Sequence, residues 1–191
     1  MKTLNQIYKA WSYVDGHGDK GTAHTYIEEY DKLFTPFRDK PINFLEIGIA
    51  YGESLEMWHE YFDNAQIYGA DIRELEIYSD HFKPGGYRDD ARFKILIGDA
   101  TKKEFLSNFP KDLKFDIIID DGSHYFQDQF DSFSILKSKM NKGGLYIIED
   151  VANISIMEDD FKSMHKKNKT TIIDNRLLKN RQDDVLIVYQ F

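Results

Sequence analysis

The chain has no cysteine among its 191 residues, which excludes disulfides and thiolate metal sites and fits a reducing cytosol. It also lacks any apolar run of membrane-spanning length, and Met1-Lys2-Thr3 leads into no signal-like apolar segment. Basic residues are outnumbered, with 25 Lys and Arg against 33 Asp and Glu, for a net charge of −8. That balance argues against a nucleic-acid surface. Linkers, repeats and low-complexity tracts are missing too. These absences leave an expected soluble, cytoplasmic protein of one domain, residues 1–191, with neither membrane nor nucleic-acid partner. A homo-oligomer stays open. The 41% hydrophobic and 15% aromatic residues suffice for one full α/β core.

What is present centres on Phe115-Asp-Ile-Ile-Ile-Asp-Asp-Gly-Ser-His124. Three consecutive isoleucines predict a strand buried on both faces, as in a parallel sheet. A second such strand, Gly144 to Ile148, ends in Glu149-Asp150. Further strands are predicted from Asn43, at 66–70, at 92–97, at 170–174 and at 185–190. Thr25 to Glu28 reads as a capping box opening a helix with Tyr26, Ile27, Tyr30, Leu33 and Phe34 on its apolar face, ended by Pro36. Leu55, Trp58, Tyr61 and Phe62 predict a second helix. Phe126, Phe130, Phe133, Leu136 and Met140 predict a third, stopped by Gly143-Gly144. A fourth is placed near 157–166, while 73–90 is a charged crossing of uncertain helical content. Strands alternating with helices give a doubly wound, Rossmann-like sheet. The short polar link between the last two strands makes that pair antiparallel.

Polar groups at the carboxyl ends of such strands sit where open α/β sheets bind ligands. Glu46-Ile-Gly48-Ile-Ala-Tyr-Gly52 falls between a strand and a helix, and is the acidic-x-Gly-x-x-x-Gly form of S-adenosylmethionine (SAM) enzymes rather than the dinucleotide G-x-G-x-x-G. A purely structural glycine turn fits the same residues. Asp71 ends the second strand, where it can accept both ribose hydroxyls, and Asp99 ends the third, where it can hold the adenine amino group. Asp120 completes the cofactor-side acids. Asp121, Glu149 and Asp150 are hard oxygen ligands suited to Mg²⁺, Mn²⁺ or Ca²⁺; helix caps and turn acids are the structural alternative. Successive strand residues point to opposite faces, so Glu149 and Asp150 converge only past the strand end. His124, three residues beyond Asp121, is placed to take a proton near neutral pH.

These blocks, with Asp19-Lys20-Gly21, His24, Tyr26, Leu45-Glu46-Ile47-Gly48, Asp71, Asp120-Asp121-Gly122-Ser123-His124, Glu149-Asp150 and Asp183-Asp184, resemble the macrocin/mycinamicin sugar O-methyltransferases. The resemblance implies a class I methyltransferase sheet of seven strands, helices on both faces, the last strand antiparallel and inserted beside its predecessor. It implies SAM on Glu46, Gly48, Gly52, Asp71, Asp99 and Asp120, Mg²⁺ on Asp121, Glu149 and Asp150, and His124 as general base. The partner implied is a small-molecule acceptor, a sugar or glycoside. An amino-terminal helical segment, 1–40, is expected over the cofactor, with Lys20, His24 and Tyr26 closing on it. A catechol-like or nitrogen acceptor, and a SAM-binding protein without turnover, are the alternatives.

Overall fold

The computed structural model describes residues 2–11, 18–73, 89–166 and 169–191. Its elements are α1 (Leu4–Trp11), α2 (Tyr26–Phe34), β1 (Asn43–Ile47), α3 (Glu53–Tyr61), β2 (Gln66–Asp71), β3 (Phe93–Ile97) and β4 (Phe115–Asp120). They continue with α4 (Phe126–Leu136), β5 (Met140–Ile148), α5 (Ile154–Met164), β6 (Thr170–Asp174), α6 (Arg176–Lys179) and β7 (Val185–Gln190). The central part of the predicted charged crossing, 74–88, lies outside the described residues.

The isoleucine run decides the architecture. Ile117, Ile118 and Ile119 are all fully buried, and their alternation sends Ile117 and Ile119 into one apolar cluster and Ile118 into the other. A strand with two apolar faces belongs mid-sheet, and β4 is central in the order β3-β2-β1-β4-β5-β7-β6. The pairs β1–β2, β2–β3, β1–β4 and β4–β5 are parallel. β7 lies antiparallel between β5 and β6. This is the seven-stranded class I methyltransferase sheet, with helices on both faces.

One face carries α1 through Leu4 and Ile7, and α2 and α3 through Tyr30, Phe34 and Trp58, whose rings meet each other and those of Phe44 and Phe62 at centroid distances of 4.9–6.3 Å. The other carries α4 and α5, with Phe133 against Tyr146 and Tyr189. Each such ring, fully buried, contributes about 1.5–3 kcal/mol of transfer free energy. Helices on both faces also leave the carboxyl ends of β1 and β4, where the winding direction reverses, as the open crevice.

Three local expectations are corrected. Thr25 precedes α2 but makes no side-chain cap; its hydroxyl and backbone N–H instead donate to Asp184, 159 residues away. Met140 does not extend the α4 stripe: the helix ends at Leu136, a 3₁₀ turn follows, and Met140 opens β5 opposite Phe115. Gly143 and Gly144 therefore lie inside a strand rather than at a helix stop. A Cβ on Gly144 would meet the Asp116 carbonyl oxygen at 2.9 Å, so glycine there permits close strand approach. The surface lysine Lys162 pairs with Glu158 in the same helix, and Arg176 and Arg181 pair with Asp174 and Asp183.

Candidate active site

The carboxyl ends of β1 to β5 open into a cavity of about 930 Å³. Gly48, Asp71, Asp99, Asp120, Asp121, His124 and Asp150 all line it, alongside Tyr8 and residues 18–20 of the amino-terminal segment. Glu46, Gly52 and Glu149 do not. The predicted site residues thus divide between an open cavity and a dry layer behind it.

Gly48 shows why the first loop can pass so close to the second. Its φ is +82°, and a Cβ there would sit 2.0 Å from the Asp121 backbone oxygen. Only glycine tolerates both conditions. Gly52, φ +83°, stands at the start of α3. Asp71 is fixed by the N–H of Ala50 at 3.1 Å on Oδ2 and of Arg73 at 3.0 Å on Oδ1. A carboxylate offers about four acceptor positions, so two remain for a ligand diol. Asp99 accepts from the Thr101 hydroxyl and N–H, which hold its carboxyl below the usual range. Asp120 is buried, which pushes its carboxyl up to about 7, against the opposing hydrogen bond from Tyr146.

The dry layer is organised by Lys20. Its ammonium donates to Asp121 Oδ2 at 2.6 Å and to both Glu149 oxygens at 2.7 and 2.8 Å, and lies 3.3 Å from Glu46 Oε1. Its side chain is 4% exposed. Burial alone would lower its pKa, but Asp121, Glu149 and Glu46 together hold it well above the ordinary value. Glu149 receives a further 2.5 Å hydrogen bond from Tyr30, and burial with the neighbouring Asp121 raises its pKa well above normal despite Lys20. Glu46 is held by the Ser54 hydroxyl at 2.8 Å and the Trp58 indole N–H at 3.0 Å; its Oε1 makes no hydrogen bond.

Asp150 points the other way. Its φ of +53° breaks the strand alternation, and its carboxylate accepts from Tyr26 at 2.8 Å while lying 3.3 Å from His24 Nε2 and 3.7 Å from His124 Nδ1. Burial, with Asp121 nearby, raises its pKa. Candidate ligand atoms of Asp121, His124 and Asp150 lie within 4.8 Å of one another, as do those of Glu46, Asp121 and Glu149. Asp121 belongs to both groups; Glu149 and Asp150 do not share one among the described residues. Lys20, His24 and Tyr26 thus face the carboxylates.

Tyr30, Ser54 and Trp58 carry no site role in the sequence reading, and Asp184 enters it only as part of the Asp183-Asp184 block of the resemblance. The signal for Tyr30 was present: it follows Tyr26 by four positions, so both hydroxyls point from one helix face.

Five acids (Glu46, Asp120, Asp121, Glu149 and Asp150) with one lysine among them make a site that favours added positive charge. A divalent ion fits the oxygen donors chemically, but not beside Lys20 as placed. Unit charges 4 Å apart interact by about 4 kcal/mol at an effective dielectric of about 20, so a doubly charged ion would be repelled by about 8 kcal/mol.

No protein-family model matches the chain. It is 36% identical over 144 residues to the 8-demethyl-8-alpha-L-rhamnosyl tetracenomycin-C 2'-O-methyltransferase of Streptomyces olivaceus, covering 71% of this chain and 35% of that protein. It is 34% identical over 139 residues to the mycinamicin VI 2''-O-methyltransferase of Micromonospora griseorubida, covering 69% and 32%. The chain spans about a third of the length of these curated relatives. In fold it is similar to the MycE methyltransferase of the mycinamycin biosynthetic pathway, solved in complex with Mg and SAH. The TM-score is 0.71 at 24% identity, over 99% of this chain and 55% of that one. Over about 70% of its own length the chain is a homologue of the macrocin/mycinamicin-type sugar O-methyltransferases, and its fold is that of a class I methyltransferase.

Proposed function

We propose that the chain carries SAM-dependent, divalent-metal-dependent methyl transfer to a hydroxyl of a sugar, on a glycosylated or nucleotide-linked small molecule. The observation that supports it most is a single cavity that holds the Gly48–Asp71–Asp99 strand tips at one end and Asp121, Asp150 and His124 at the other. The relatives' names specify O-methylation of glycosylated acceptors, and the site chemistry suits the same reaction here.

When bound, SAM supplies an electrophilic methyl and a divalent ion supplies a Lewis acid that lowers the pKa of a coordinated hydroxyl. Asp71 would accept the ribose diol with its two remaining acceptor positions. Asp99 would face the adenine end. Asp121 and Asp150 would hold the ion, with Glu149 joining when Lys20 releases it. His124 Nδ1 faces both acids, which leaves Nε2 to take the acceptor proton. The surrounding β-strand ends fix these groups relative to one another, and such positioning is the larger part of what a methyl transfer requires.

The test is methyl transfer from SAM to a panel of glycosides and their aglycones, with and without EDTA. Transfer to glycosides that stops in EDTA is expected. Transfer undiminished by EDTA would remove the metal assignment, and SAM binding without any transfer would favour a non-catalytic role.

A further inference from the structure

The amino-terminal segment delivers a cation into the acidic centre. Lys20 is the only lysine or arginine within salt-bridge distance of Asp121, Glu149 or Glu46 among the described residues. Its ammonium makes its short contacts with two of the three carboxylates that the sequence offers as metal ligands, one from each of two adjacent strand ends. Those contacts use Asp121 Oδ2 and both oxygens of Glu149. An ion that ligates this pair must therefore take the place of the ammonium.

The backbone around Lys20 is not free to leave. Lys179 donates to the carbonyls of Gly21, Thr22 and His24 at 2.7–3.0 Å. Thr25 is tied to Asp184, and the N–H of Gly18 to Glu53 Oε2 at 2.9 Å. The side chain has an exit, because Lys20 itself lines the cavity, and its four-carbon stem is flexible.

We propose that Lys20 is an internal counter-ion competing with the divalent metal for Asp121 and Glu149. Without metal the ammonium sits between the two carboxylates and keeps them ordered. When metal binds, the side chain swings into the cavity while the backbone of 18–25 stays pinned. Glu149 then turns from a structural acid into a ligand, beside Asp121 and Asp150. Lys20 is thus a positioning residue that sets metal affinity and prevents collapse or repulsion of the acids in the empty site. This rests on the proposed metal dependence of the centre.

Two measurements with Mn²⁺ alone test it. Binding is followed by the electron paramagnetic resonance of free Mn²⁺ for the wild type and for Lys20→Met. At least tenfold tighter binding by the variant is expected. Equal or weaker binding would leave the metal reading standing and overturn the competition. Absence of binding by both proteins would overturn the metal reading and the competition with it. Should Lys20→Met fail to fold, the wild type decides by reductive methylation and peptide mass spectrometry. Saturating Mn²⁺ should raise Lys20 modification severalfold, with exposed Lys32 unchanged as the reference. Unchanged Lys20 modification would refute the displacement.

Discussion

Replacing Gly48 with alanine isolates the contact that brings the two halves of the site together. Two penalties apply. A side chain at φ +82° costs about 1–2 kcal/mol, because Cβ crowds the following carbonyl in left-handed backbone. The new Cβ would also lie 2.0 Å from the Asp121 oxygen and 2.6 Å from its carbonyl carbon. Both loops are anchored: Gly48 N–H donates to Ala70 at 2.8 Å and Asp121 N–H to Ile47 at 2.9 Å. Relief must therefore come from moving backbone, and overpacking of this kind costs about 1–3 kcal/mol. The sum, about 2–5 kcal/mol, is a large part of the 5–15 kcal/mol typical of a domain. Gly143 supplies the control, since its φ is +84° but a Cβ there would meet nothing within 4 Å. Gly143→Ala should show the conformational penalty alone. Urea unfolding of both variants reads the difference, with Gly48→Ala at least 1 kcal/mol worse. Equal losses would show that the β1 and β4 loops are not in contact as described.

Four other outcomes are expected. His124→Ala should reduce turnover by about 10²–10⁴-fold with SAM affinity nearly unchanged in calorimetry; equal turnover would remove the base assignment. Asp71→Asn should weaken SAM binding while leaving Mn²⁺ binding alone, and parallel losses of both would contradict the division of the cavity. Tyr30→Phe deprives the buried Glu149 of a donor, a loss of about 1–3 kcal/mol visible in urea melts; an unchanged midpoint would deny the role of the 2.5 Å bond. Burial, then Arg92, pushes the His59 pKa down, so the unfolded chain binds this proton more readily. The stability it supplies is present above about 6.5 and is lost as pH falls below it. His59→Phe, which keeps the stacking on Phe93, should flatten the pH 5–7 stability profile, and superimposable profiles would rule this out.

Much of this was legible from residue order. Ile117 to Ile119 announced a two-faced central strand, and Asp71, Asp99 and Asp121 each followed an apolar run, so their position at strand tips needed no tertiary information. Resemblance to the sugar O-methyltransferases supplied the seven-stranded order with its antiparallel insertion. What escaped depends on contacts far apart in sequence. Thr25 has every local feature of a helix cap, yet Asp184 outbids the helix for its hydroxyl. Met140 continues the apolar spacing of α4 but pairs with Phe115. That Glu149 and Asp150 diverge was already implied by strand alternation, but the capture of Glu149 by Lys20, 129 residues upstream, is encoded by no local pattern.

The bonds from Lys179 and Asp184 to the 21–25 region span 155–159 residues. A growing polypeptide emerging from the ribosome would possess all five acidic strand tips well before it possessed the clamp that holds Lys20 over them. The backbone that carries Lys20 is thus held in place by residues of α6 and of the approach to β7, so truncating the chain before them would leave the lysine without its clamp.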